Sequence, residues 1–204
     1  MNETLQRLYD LTMVLPRFNS ETPSKHLVQN GIYLFYETGE TILHRGEEVD
    51  RIVRVGTHKS ENRFRKRVRQ HYRNNKNGSV FRRHLGGALL AQNDPGDPRI
   101  PVWMKQKTPP DRDVEAWVSS TLAERFTFSC FAVETERERL DLERGLIALL
   151  AQHASQHSDR WLGHWAVSPV VRRSSLWNTQ QVDAGPLTES EFERLERAIR
   201  LTLG

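Results

Sequence analysis

The sequence predicts an α+β fold: a small antiparallel sheet of about three strands, flanked by helices and extended by helical additions at both ends. Three observations carry this reading. Residues 31–37 and 51–57 are short apolar or alternating runs bounded by turn-formers such as Gly39 and Gly46. The interval between them is too short for a helical crossover, so they pair antiparallel. A third strand-like run, 127–133, lies between helical stretches.

Taken in order, the chain opens with an amphipathic helix at 2–15, with Leu5, Leu8, Leu11 and Leu15 on one side. After the strand at 31–37, a short extra strand is expected at 41–44 and the next at 51–57. Helices follow at 61–73 and 79–92. Residues 93–110 hold five of the nine prolines and read as a long irregular loop, a feature more often functional or mobile than neutral. A helix at 111–126 leads into the strand at 127–133, and a long helix spans 136–154. Residues 161–171 read as extended. Thr188 and Glu191 fit a capping box that starts a C-terminal helix. The expectation is one domain over 1–204, with a core at about 30–180 and helical extensions at 1–29 and 181–204.

Composition narrows the function classes. No window is long and apolar enough to span a membrane, and the N-terminus lacks an apolar signal core, so no membrane partner and a cytoplasmic location are expected. One cysteine, Cys130, allows neither an internal disulfide nor a cysteine-based zinc site, and its apolar neighbours make it a core residue. Charge is polarised: residues 51–83 carry 12 Lys or Arg against one acid, whereas the rest of the chain carries 18 against 25. A positive excess confined to one segment is the footprint expected for a phosphate backbone.

The basic helix at 61–73 sorts its side chains by spacing. Phe64, Val68 and Tyr72 form the stripe that packs on the sheet. Arg63, Arg67 and His71 form a second stripe beside it, and Arg65, Arg69 and Arg73 a third. Guanidinium and imidazole groups beside a packed edge suit phosphate binding and stabilisation of developing charge. For Arg65 and Arg69, lining a DNA surface is the better reading, and Lys66, Arg73, Arg82 and Arg83 extend that surface. In the helix at 136–154, Leu140, Leu146, Ile147 and Leu150 define an apolar face, and Glu143 falls inside it. A carboxylate there is costly unless paired or bound to a cation. Spacing alone favours a buried ion pair, with Arg67 as one partner.

Gly31-Ile32-Tyr33, Arg54-Val55-Gly56, Arg67 and His71 on the basic helix, Glu143-Arg144-Gly145 and the segment ending Trp177-Asn178 resemble, in order, the motifs of the GIY-YIG nuclease superfamily. The likeness extends to its uncharacterised bacterial and restriction-endonuclease-like members, and it spans 30–178. Arg54 stands where the second motif usually has tyrosine. The resemblance implies a divalent-metal-dependent endonuclease acting on DNA. In it, Tyr33 orients or deprotonates the attacking water, and Arg67 stabilises the transition state. Glu143 is the direct ligand to one Mg²⁺ or Mn²⁺, and Asn178 helps hold the site or contacts phosphate. His71 and His58 are auxiliary proton-transfer or phosphate groups, and Arg54 is a phosphate contact. A phenol is a poor base at neutral pH, so neighbouring Arg67 and the metal must favour its phenolate.

Two rival readings stay open: a module that grips nucleic acid on a nuclease fold without cutting, supported by Arg54, and a nuclease subunit of a larger assembly. Double-strand cutting with one site per chain favours a homodimer. His153 and His157 stand at i, i+4 without an evident third ligand and read as surface histidines.

Overall fold

The computed structural model describes residues 2–153 and 157–204. Its centre is a three-stranded antiparallel sheet in the order β2-β1-β3, formed by β1 (Gly31–His44), β2 (Glu47–Gly56) and β3 (Phe126–Ala132). The separate strand expected at 41–44 is the far half of β1. The hairpin turns on Arg45 and Gly46, whose φ values of 51° and 89° supply the left-handed backbone that a two-residue connection needs.

Helices cover both faces. α1 (Glu3–Thr12), α6 (Glu136–Ala151) and α8 (Glu189–Leu203) lie on one side; α2 (Phe64–Arg73), α3 (Val80–Asn93) and α5 (Arg112–Arg125) lie on the other. Alternation along β1 builds both cores, with Ile32, Leu34 and Tyr36 packing against one helical layer and Tyr33 and Phe35 against the other. A bulge on β2 makes Val53 the extra residue, so Phe35 pairs with Arg54 and Tyr36 with Ile52. The bulge puts Arg54 and Gly56 on the same face as Tyr33 and Phe35, which fixes what the phenol meets.

Caps set most helix starts. Ser79 accepts from the Arg82 N–H, Asp111 from the Asp113 and Val114 N–H groups, and Thr188 and Glu191 complete the expected capping box. Two expectations are corrected. The proline-rich stretch 93–110 contains a short helix, α4 (Arg99–Met104), because Pro101 falls in its first turn, where a missing N–H costs nothing. Residues 161–171 are not extended: a 3₁₀ turn (Leu162–Trp165) precedes α7 (Pro169–Ser174), which Pro169 opens at its first position. The helix expected over 136–154 ends at Ala151, and Met1 and Ala154 lie outside the described residues. No helix among the described residues is long and apolar enough to cross a membrane.

Candidate active site

A cleft of about 910 Å³ opens where the N-terminal end of β1, the C-terminal end of β2, α2, α6 and the segment after Trp177 meet. Tyr33, Arg54, His58, Arg67, Glu143 and Asn178 all border it. They come from five separate stretches of the chain, and the fold brings them together. Six cations line the cleft (Arg54, Lys59, Arg63, Lys66, Arg67 and Arg83), against one carboxylate, Glu143.

At the floor, Tyr33 is almost wholly buried, and its ring lies flat on Gly56. A Cβ built at that glycine would stand 2.1 Å from the Tyr33 hydroxyl and 2.3 Å from Cζ. The Tyr33 hydroxyl meets His71 Nε2 at 2.8 Å, and His71 Nδ1 meets Ser79 Oγ at 2.8 Å. His71 is 0% exposed. Burial first, and then Arg67, Arg54 and Arg82, hold its pKa well below that of a free imidazole. It is therefore neutral at pH 7 and forms the middle of a hydrogen-bonded relay from Ser79 to Tyr33. The second stripe of α2 thus runs inward, from exposed Arg63 through half-buried Arg67 to buried His71. Arg67 Nη1 donates to Gly78 O at 3.1 Å and Gln70 Oε1 at 3.3 Å, which aims its guanidinium along the cleft wall.

Glu143 faces this group from α6. Its Oε1 accepts from the Thr57 N–H at 3.1 Å, and among the described residues it makes no ion pair; in particular it does not pair with Arg67. Burial raises its pKa, against the opposing pull of Arg54, the Thr57 N–H, Arg67 and Lys59. No group of three or more His, Cys, Asp or Glu gathers among the described residues. A single hard carboxylate with one oxygen left over suits Mg²⁺ or Mn²⁺, which keep most of their coordination for water and phosphate oxygen. Leu140, expected in the buried face of α6, is 41% exposed and borders the cleft with Glu143 and Ile147; Leu146, Ile147 and Leu150 are buried as expected, joined by Leu142 and Leu149.

Four expected site residues turn out to serve the architecture. Asn178 pairs both ends of its amide with Val55, accepting from N–H at 3.0 Å and donating to O at 2.9 Å. It clips the segment after Trp177 to β2, holding that side of the cleft in place, and the clip uses one of its two amide protons. His58 donates from Nδ1 to Ser60 O at 2.6 Å and accepts the Gly31 N–H on Nε2 at 3.2 Å, so neither ring nitrogen is free for proton transfer. Arg82, expected to contact DNA, is 0% exposed and bonded to Glu115, Ser119 and the carbonyls of His71 and Tyr72. Arg65 gives its guanidinium to Leu27 O. Arg69 and Arg73 are exposed but outside the cleft, whereas Arg63, Lys66 and Arg83 line it. Arg54 is anchored by donation to Trp177 O with its guanidinium over Phe81, and it borders the cleft from the sheet side.

The sequence had not singled out Thr57, Lys59 or Ser79. Lys59 lies within the basic segment, and Ser79 was legible as a helix start, but its bond to His71 is a product of the tertiary fold. The family model of the GIY-YIG domain matches residues 2–203. No curated protein and no solved structure gives a significant match.

Proposed function

The chain belongs to the GIY-YIG domain family, and from that premise we propose that it is a divalent-metal-dependent endonuclease hydrolysing DNA phosphodiester bonds. The observation that carries this reading is the convergence of Tyr33, Arg67 and Glu143 on one cationic cleft. A scissile phosphate drawn in by Arg63, Lys66 and Arg83 meets the Arg67 guanidinium, whose planar donors match the oxygens of a phosphorane-like transition state. Tyr33 holds the attacking water from the floor and takes its proton as the phenol's own proton passes to Nε2 of neutral His71, whose Nδ1–H donates to Ser79 Oγ and keeps that nitrogen turned toward the phenol. Glu143 would hold Mg²⁺ or Mn²⁺, which supplies charge neutralisation at the leaving oxygen when bound. Arg54 contributes positive potential from the sheet side, and Arg69 and Arg73 extend contact to more distant phosphates.

A binding module without cleavage is the reading to be excluded, since Arg54 removes the second phenol that the family usually carries. Plasmid nicking with Mg²⁺ or Mn²⁺, run beside a gel shift in EDTA, separates the two. The wild-type chain is expected to nick. Glu143→Ala is expected to lose roughly 10²–10³-fold or more in nicking while still shifting DNA. Normal cutting by that variant refutes the role given to Glu143, and binding without cutting by the wild-type chain makes it a gripping module.

A further inference from the structure

The cleft holds a second chemical class besides its cations. Gln106, Gln180 and Gln181 line it with exposed side-chain amides that have no protein hydrogen-bond partner among the described residues. Gln70, by contrast, is occupied by Arg67. Six cations already serve the phosphates, and neutral amides add nothing to that electrostatic attraction. What an amide offers is a paired donor and acceptor, the pattern that matches adenine at N6 and N7 in a major groove.

These amides sit on anchored backbone. Buried Lys76 donates from Nζ to Lys105 O and Thr108 Oγ1, both at 2.7 Å, and Asn77 bonds Thr108 O at 2.9 Å and the Lys107 N–H at 3.0 Å. Gln106 therefore projects from a loop clamped on both sides. Gln180 and Gln181 follow the Asn178 clip to β2. Lys107 and Gln181 have φ of 61° and 66°, left-handed values that non-glycine residues hold when their surroundings over-determine them. Backbone fixed in this way at both amide-bearing segments is the preorganisation that recognition needs.

We propose that Gln106, with Gln180 and Gln181, reads base edges beside the scissile phosphate, so that the substrate is duplex DNA of restricted sequence, with adenine preferred opposite these amides. The inference rests on the endonuclease reading, and its test has two arms. In the first, a random duplex pool is cleaved with Mg²⁺ and the ends sequenced for the wild-type chain, Gln106→Ala and the double variant Gln180→Ala/Gln181→Ala. In the second, the same pool is selected by gel shift in EDTA. The wild-type chain is expected to prefer adenine at one or more positions. Gln106→Ala is expected to lower the ratio of best to substituted base roughly tenfold at one position, and the double variant at another. A wild-type profile without preference, unchanged profiles in the variants, or an equal loss on every sequence overturns the proposal; the last outcome marks these amides as backbone contacts. A wild-type chain that does not cut defeats the endonuclease reading alone, because the EDTA arm still reports base preference.

Discussion

Two sets of carboxylates in this molecule are treated in opposite ways. Glu37 and Glu40, toward the far half of β1, are almost fully buried, and each receives its own arginine. Arg125 donates to Glu37 at 2.8 Å with Trp177 Nε1 on the other oxygen at 3.2 Å, and Arg51 donates to Glu40 at 2.9 Å with Ser158 on the other oxygen. Glu143, at the cleft, receives one backbone N–H and no ion pair, although Arg54, Arg67 and Lys59 all act on it through space. The fold supplies contact cations to carboxylates that hold elements together and withholds one from the carboxylate beside the phenol. The absence of a contact cation at Glu143 is the observation on which its proposed role as a metal ligand rests.

The comparison breaks first at Glu40. Glu40→Ala leaves Arg51 buried without its counter-charge and is expected to cost about 3–5 kcal/mol in denaturant unfolding. A loss below about 1 kcal/mol would make the two sets energetically alike.

Glu37 sharpens the contrast through pH. Burial raises its pKa from the ordinary 4.5 to about 7, against Arg125 and Trp177. The folded chain therefore keeps this proton where the unfolded chain has lost it. Its contribution is present in full below about pH 4.5 and is lost as pH rises through about 7, on the order of 3 kcal/mol. Unfolding midpoints between pH 4 and 8 are expected to show this decline, and Glu37→Gln to flatten it.

Glu143→Gln, which keeps an oxygen for the Thr57 N–H, is expected to change stability by less than about 1 kcal/mol. A larger loss in urea unfolding would place Glu143 with the structural pair.

The smallest effect concerns arginine. Exposed Arg63→Ala is expected to leave stability within about 0.5 kcal/mol and to lower the slope of log binding against log salt by about 1. Arg82→Ala should act through folding instead, because it strips Glu115 of its partner.

Much of this arrangement was legible in the residues. The hairpin, the basic helix, the C-terminal capping box and the order of Tyr33, Arg67 and Glu143 all follow from period, turn chemistry and motif. What escaped was whether a polar group is already spent. Arg82 and Arg83 are neighbours with the same chemistry, and a helix buried on nearly all sides, as α3 is from Leu85 to Leu90, has no polar face to say which one turns inward. His58 carries the right atoms for chemistry, but Ser60 nearby and Gly31 from β1 engage both its ring nitrogens, and Asn178 is turned onto β2 by Val55 through a contact distant in the chain. Leu140 reads as core by type, yet it forms part of the cleft rim. Prolines obscured α4 because their cost depends on position within the first turn, not on their number.

Gly56 has a practical consequence. Because a single added carbon would stand 2.1 Å from the Tyr33 hydroxyl, Gly56→Ala should dislodge the phenol while leaving the cationic walls untouched. On the endonuclease reading proposed above, one methyl group would then separate grip from cleavage, leaving a protein that holds intact nucleic acid long enough to be crystallised around it.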